Sequence, residues 1–278
     1  MRIVNLIEDT VVENGFKSEH GLCFYIETSK HKILCDTGAS DAFIYNAQRL
    51  NINLEQVDMV ILSHGHYDHC GGVMEFAKIN SKADIYIQQS ACEDYYNIKN
   101  GFEKYIGINK EILTLKQLKL INGDYKIDDE LAIFTGINPD LESFKGNLFL
   151  KKKVGDELLQ DNFNHEQCLV ISEKSDKNII KNVLISGCAH NGILNIIQQY
   201  NKKYDYELDA IFSGFHMMKD GEYTDEEIRS IQELAHKLND FKAIFYTGHC
   251  TGKDAFLIMK KIMNDKLFNI SVGTQWDI

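Results

Sequence analysis

Within seven residues, Ser63-His64-Gly65-His66-Tyr67-Asp68-His69, the chain places three imidazoles and a carboxylate. Imidazole nitrogen and carboxylate oxygen together suit zinc, iron or manganese. The cluster follows an apolar run, Met59-Val60-Ile61-Leu62, and precedes Cys70-Gly71-Gly72. His64 and His66 are two apart and His69 follows Asp68 directly, so one local turn can face two neighbouring ions. A solvated charged loop is the rival explanation. Ligand-type residues further along the chain argue against it.

Three later segments repeat one arrangement, an apolar strand that ends in glycine and then a ligand-type residue. They are Asn182-Val183-Leu184-Ile185-Ser186-Gly187-Cys188-Ala189-His190, Ala210-Ile211-Phe212-Ser213-Gly214-Phe215-His216 and Ala243-Ile244-Phe245-Tyr246-Thr247-Gly248-His249-Cys250. Glycine is expected to let the chain turn sharply there, so that the next side chain projects above the sheet. Open α/β sheets bind ligands at strand ends, so loops converging there form the expected site. Any one of these residues alone could be structural. Together with the cluster at 64–69 they point to one metal centre.

The elements that must position these residues read as follows. Strands are expected over 2–7, 22–28, 31–35, 57–62 and 84–88, with helices over 41–50 and 72–79. Thr28-Ser29-Lys30 makes a short turn between two of the strands. Further strands are expected over 131–135, 148–150, 167–172, 182–186, 209–213 and 243–246. Helices are expected over 191–200, 224–238 and 253–263. In the second of these, Ile228, Ile231, Leu234, Ala235 and Leu238 share one face, and Thr224 with Glu227 makes a capping box. The stretch 95–122 mixes aromatics, lysines and glycines, and reads as an excursion from the core that could form a lid. Strands and helices alternating in both halves fit an αββα sandwich of two mixed sheets flanked by helices, as one domain over 1–278.

The 278 residues can bury a substantial core. A net charge of −11, from 30 basic and 41 acidic residues, argues against binding a phosphate backbone and so against nucleic acid as partner. A small anionic substrate stays compatible, because a bound dication can outweigh the surrounding charge locally. The seven cysteines show no disulfide-scaffold spacing, and no apolar run approaches the ~18 residues of a membrane span. A cytoplasmic protein without membrane partner is expected.

The run His64-Gly65-His66-Tyr67-Asp68-His69 resembles the HxHxDH signature of the metallo-β-lactamase-fold superfamily. Gly187-Cys188-Ala189-His190-Asn191-Gly192, Gly214-Phe215-His216 and Gly248-His249-Cys250-Thr251-Gly252 resemble a narrower subgroup. That subgroup is labelled 7,8-dihydropterin-6-methyl-4-(β-D-ribofuranosyl)aminobenzene-5′-phosphate synthase-like. The resemblance runs essentially end to end. It implies two divalent ions, zinc first, with iron or manganese as alternatives. It implies that His64 and His66 bind the first ion, that Asp68 and His69 bind the second, and that His249 completes the second site. Asp36 matches the fold's structural aspartate, expected to hold a ligand imidazole in one tautomer. Cys188 stands where many members have a bridging aspartate, and a thiolate is a good ligand for zinc or iron. His165 and His190 both compete for the third position on the first ion, and the Gly-Cys-x-His grouping favours His190. His216 is expected to line the substrate pocket.

The leading expectation is a binuclear hydrolase of a small phosphorylated or carboxylated molecule, in which metal lowers the pKa of water from ~15.7 towards ~7. Asp68 would both ligate metal and orient the nucleophile. Helix starts at Asn191-Gly192 and Thr251-Gly252 are expected to offer N–H groups to an anion. A pterin-type synthase, with metal as Lewis acid, ranks second. Iron-based redox chemistry or non-catalytic metal binding ranks third, since these residues include no flavin-binding segment.

Overall fold

The computed structural model describes residues 1–139, 145–174 and 178–278. Its strands send successive side chains to opposite faces, the two-residue period of extended chain. In the first sheet, β1 (Arg2–Ile7), β2 (Cys23–Glu27), β3 (Lys32–Cys35), β4 (Met59–Ile61), β5 (Asp84–Gln88), β8 (Leu118–Ile121) and β18 (Gln275–Asp277) run in the order β18-β1-β2-β3-β4-β5-β8. The pairs from β18 to β3 are antiparallel and those from β3 to β8 parallel. The second sheet comprises β9 (Tyr125–Lys126), β10 (Leu131–Phe134), β13 (Cys168–Lys174), β14 (Ile180–Ile185), β15 (Ala210–Phe212), β16 (Ile244–Thr247) and β17 (Leu267–Asn269). Its order is β17-β16-β15-β14-β13-β10-β9, parallel from β17 to β14 and antiparallel from there on.

Ile3, Phe24, Ile26, Ile33 and Ile61 of the first sheet meet Leu169, Ile171, Val183, Ile185 and Phe212 of the second in one buried cluster. Their neighbours Val4, Tyr25, Leu34 and Val60 point outward onto Phe43 and Ala47 of α1 (Ala42–Arg49) and Val73 and Phe76 of α3 (Val73–Ile79). On the far side, Val170, Leu184, Ile211 and Phe245 pack against α4 (Ile193–Lys203), α5 (Asp225–Asn239) and α6 (Lys253–Met263). Each fully buried Phe or Ile contributes roughly 1.5–3 kcal/mol over an exposed one. The result is an αββα sandwich. The capping box forms as the spacing predicts: Thr224 N–H donates to Glu227 Oε2 at 2.8 Å, and Glu227 N–H donates to Thr224 Oγ1 at 3.3 Å.

Two stretches differ from the sequence reading. The segment 95–122 divides. Its first part, β6 (Tyr95–Lys99) and β7 (Phe102–Tyr105), is a hairpin that joins β11 (Leu150–Val154) and β12 (Glu157–Gln160) in an antiparallel sheet of order β12-β11-β6-β7. Beneath it Tyr95, Ile106, Leu150 and Phe163 form a small core, with Tyr67 packed against them. The second part returns to the sandwich, burying Ile108 and Ile112 under the first sheet and adding β8 to its edge. The expected strand at 148–150 is instead the end of a 3-10 turn, Lys145–Phe149, with the strand starting at Leu150. Leu148 and Phe149 are exposed there, and of the run 148–150 it is Leu150 that is buried. Among the described residues no helix is long and apolar enough to cross a membrane.

Candidate metal centre

The parallel strands β3, β4, β14, β15 and β16 all end in loops that converge. Asp36 follows β3, Ser63-His64 follow β4, and Cys188, His216 and His249 follow β14, β15 and β16. One helical turn, α2 (Tyr67–Cys70), carries Asp68 and His69 inward, both buried.

Asp36 anchors the loop. Its Oδ1 accepts the Ser63 N–H at 2.7 Å; its Oδ2 accepts the Ser63 hydroxyl at 2.8 Å and faces His69 Nδ1 at 2.6 Å. The single hydroxyl proton of Ser63 is thereby committed. Its oxygen, 2.8 Å from His64 Nδ1, accepts from that nitrogen. His190 Nδ1 meets Asn147 Oδ1 at 3.2 Å, and Asn147 Nδ2 donates to the His190 carbonyl at 2.8 Å, which fixes the amide's orientation. His249 Nδ1 meets Asp9 Oδ1 at 2.8 Å. In His64, His69, His190 and His249 an acceptor therefore holds Nδ1–H, and Nε2 faces the site.

The Nε2 atoms of His64, His66, His190 and His249 are buried with no hydrogen-bond partner. Buried polar atoms are almost always satisfied, so four orphans in one place call for a cation. His66 groups with Asp161 and His165, and two further groups of donors share Cys188, His64 with Cys188 and His190, and Asp68 with His69, Cys188 and His249; within each, the ligand atoms lie within 4.8 Å of one another. Cys188 belongs to both, with its Sγ 3.2 Å from His69 Nε2. The His66 ring lies 4.6 Å from His64 and 4.9 Å from His190, which are themselves 4.9 Å apart, so the three rings close a triangle. These donors match the chemistry of zinc or a similar divalent ion.

His165 and His190 differ in the partners of their ring nitrogens. His165 Nδ1 accepts the Gly65 N–H at 3.0 Å, and its Nε2 donates to Asp161 Oδ2 at 3.1 Å, so both nitrogens are engaged. It braces the residue between His64 and His66, while His190 leaves Nε2 free. His216 lies with its ring 4.1 Å from His190, its Nδ1 buried and unpartnered, beside Cys188 and Cys250.

Burial, reinforced by neighbouring imidazoles, holds His64 and His190 well below the ordinary histidine value and His66 at about 3, so these rings are neutral and able to coordinate at pH 7. Burial would raise Asp68, but the charges of His69 and His249 beside it outweigh that and keep the carboxylate ionised. Burial would lower His69 and His249; the carboxylates around them, Asp36 and Asp68 for the first and Asp68 and Asp9 for the second, raise both instead. On this side of the centre protons balance the carboxylates, and a cation binding there releases them. Burial raises the Cys188 thiol, so it too needs a cation to ionise.

Two expectations are corrected. The glycines at the strand ends are not the turning points: the left-handed conformation falls on Asp36 (φ 60), Ala189 (φ 52), His216 (φ 48) and His249 (φ 49). Such non-glycine residues cost of order 1–3 kcal/mol each and persist where surrounding contacts over-determine them. The glycines serve close approach. A Cβ on Gly187 would sit 2.2 Å from Ser63 Oγ, one on Gly214 2.4 Å from Cys250 Sγ, and one on Gly248 2.7 Å from Glu8 Oε1. Nor do Asn191 and Gly192 offer their N–H groups to an outside anion; that of Gly192 goes to the Ala189 carbonyl at 2.8 Å. Glu166, buried, already accepts the His190 N–H at 2.7 Å and the Asn191 N–H at 3.0 Å. The Thr251 and Gly252 N–H groups are likewise taken by Gly248 and His249 carbonyls.

The sequence reading passed over Glu8, Asp9, His20, Asn147, Asp161 and Glu166. Glu8 Oε1 accepts the His249 N–H at 2.5 Å, and His20 Nδ1 meets Asp9 Oδ2 at 2.9 Å. The ring of His20 lies 4.5 Å from that of His249. Glu8 and Asp9 follow β1 as the other site residues follow their strands, but without a glycine to mark them.

An αββα sandwich with two adjoining groups of buried nitrogen, sulfur and carboxylate donors at its strand ends is the architecture of a metal-dependent enzyme. Residues 18–167 match the family model of the metallo-beta-lactamase superfamily, and the chain belongs to that superfamily. It is 30% identical, over 94% of its length and 95% of the relative's, to an uncharacterised protein of Methanocaldococcus jannaschii. It is also 30% identical to that organism's 7,8-dihydropterin-6-methyl-4-(β-D-ribofuranosyl)-aminobenzene-5′-phosphate synthase, over 95% of this chain and 92% of the synthase. A crystal structure described as a metal-dependent hydrolase of the β-lactamase superfamily superposes with a TM-score of 0.82 at 28% identity, covering 100% of this chain and 99% of that one.

Proposed function

We propose that this protein is a binuclear metal-dependent hydrolase of a small anionic substrate. The observation that carries the reading is the set of four buried, unpartnered Nε2 atoms, three of which, on His64, His190 and His249, group with Cys188. His64, His66 and His190 would hold one ion, Asp68, His69 and His249 the other, with Cys188 between them. Divalent ions there, zinc first, supply Lewis acidity towards a carbonyl or phosphoryl oxygen and a water nucleophile at neutral pH. The protein's own groups do the rest. Asp36, Ser63, Asn147 and Asp9 fix the imidazole tautomers. Asp68 stays ionised and able to orient the attacking water. His216, partly exposed, faces the substrate. The solved relative described as a metal-dependent hydrolase supports this reading.

The assay uses protein stripped by chelation and reloaded with zinc, against bis(4-nitrophenyl) phosphate and 4-nitrophenyl esters. Slow hydrolysis that returns only with metal, and a pair of ions per chain by elemental analysis, are expected. A single ion per chain rejects the binuclear reading. One comparison favours a second reading, the near full-length similarity to the archaeal synthase. There the ions would act as Lewis acid and template for C–C bond formation. Condensation of the pterin and ribosylated aminobenzene phosphate halves, without hydrolysis of either probe, decides for it.

The two histidines once in competition give a sharper test. His190→Ala should lose metal from one side of the pair, while His165→Asn, which removes only a brace on Gly65, should keep the full complement at saturating zinc. Equal losses would put His165 among the ligands.

A further inference from the structure

Two thiols meet behind the donor groups. Cys188 Sγ, Cys250 Sγ and a ring nitrogen of His216 lie within 4.8 Å of one another. Cys250 Sγ is 3.6 Å from the Cys188 carbonyl oxygen and 3.3 Å from the His216 backbone nitrogen. Position 214 is bare where they approach, since a Cβ there would stand 2.4 Å from Cys250 Sγ and 3.5 Å from the Cys188 Cα. All seven cysteines are free. Cys23 and Cys35 are on adjacent strands but bury on opposite faces of the first sheet. Cys70 donates its thiol to the His64 carbonyl, and Cys168 packs in the core under α4.

We propose that Cys188 and Cys250 are a modification site, joined into a reversible disulfide by a peroxide-class oxidant, and that this bond withdraws the sulfur shared by the two donor groups. Cys250, which neither ion claims, gives up its thiol proton as its sulfur attacks one peroxide oxygen. The O–O bond breaks, the departing hydroxide takes up that proton and leaves as water, and the sulfur becomes a sulfenic acid. Cys188 sulfur then attacks that sulfur, forming the S–S bond and expelling the sulfenic oxygen as water. Two thiols and one peroxide give one disulfide and two waters; sulfur is oxidised and peroxide oxygen reduced. Cys188 and Cys250 are only 3% and 5% exposed, but His216 beside them is partly open, and peroxide is scarcely larger than the water a hydrolytic site must admit. A disulfide sulfur carries no charge and binds zinc poorly, so both ions lose their common donor. The disulfide rests on the thiol geometry alone; its effect on metal rests on the binuclear reading.

The experiment treats the zinc-loaded, fully reduced protein with hydrogen peroxide. Thiol titration, non-reducing peptide mapping and elemental analysis follow the same samples. A linked peptide joining residues 188 and 250, with metal release in step and both reversed by dithiothreitol and zinc, is expected. Cys250→Ser should give no such peptide and should keep its metal at the same peroxide dose. Sulfinic acid without a linked peptide, or a bridge between other cysteines, overturns the proposal. A 188–250 bridge with full metal retention overturns the coupling. If the protein takes up no metal at all, the binuclear reading fails while the peptide map still decides the disulfide.

Discussion

Asp68→Ala should lower kcat/KM for hydrolysis at least about 10³-fold, some 4 kcal/mol of transition-state stabilisation, while the far-UV circular dichroism stays that of the parent. Asp68 Oδ2 stands 3.5 Å from both His69 Nε2 and His249 Nε2 and 3.8 Å from His20 Nε2. It is the one carboxylate in its donor group, so its removal takes away a proposed ligand and the counter-charge for two imidazoles at once. His66→Ala should fall as far for a different reason. Its ring meets the other site rings, its side chain makes no capping bond to α2, and its deletion opens the triangle with His64 and His190. Asp68→Asn separates the two contributions of the carboxylate, because the amide still offers an oxygen but no charge. If both alanine variants hydrolyse within a few-fold of the parent, the chemistry takes place elsewhere and the proposed centre is not the active site.

Asp36→Ala should cost about 3 kcal/mol of stability, which for a domain of this size lowers Tm by roughly 6–12 °C. Asp36 contacts no proposed ion. It accepts from three donors, Ser63 N, Ser63 Oγ and His69 Nδ1, all within 2.8 Å and all buried. Alanine leaves the Ser63 N–H and His69 Nδ1 without a partner in a dry interior, where the full desolvation penalty of each orphan is felt. It also frees the Ser63 hydroxyl to donate to His64 Nδ1, which inverts the tautomer of that ring. Zinc affinity should therefore fall by the 10–100-fold typical of groups that orient ligands. Thermal melts of apo and zinc-loaded protein together read both losses. A normal melting temperature with normal zinc affinity would show that the hydrogen-bond chain from Asp36 does not orient the centre.

Much of this architecture was legible because apolar alternation and short donor spacings are local signals. The strands at 2–7 and 84–88, the helices at 224–238 and 253–263, and the cluster at 64–69 each announce themselves within a dozen residues. The four-stranded outer sheet did not. Its strand Leu150-Lys151-Lys152-Lys153-Val154 exposes lysines on both faces, and no alternation survives there. The partners of the imidazoles were hidden for another reason. Asp9 reaches His249 across 240 positions and Asn147 reaches His190 across 43, and no spacing rule links residues so far apart. The roles of the strand-end glycines were misassigned because a sequence shows where a side chain is absent, not whether torsion or crowding forbids it. Glu166 illustrates the same limit, since a vacant helix start is indistinguishable in sequence from one already filled by the protein's own carboxylate.

Among the described residues the two sheets have matching composition, seven strands each, parallel on one side and antiparallel on the other. The first brings His64, His66, Asp68 and His69; the second brings Cys188, His190 and His249. The contact between His69 and Cys188 closes a loop of 119 residues. Ions seated between such donors, as proposed, would act as a clasp across the seam of the sandwich, opposing the chain entropy that favours its opening. That cross-link would be assembled only when both halves have folded and met, and it would tie catalytic competence to the integrity of the seam.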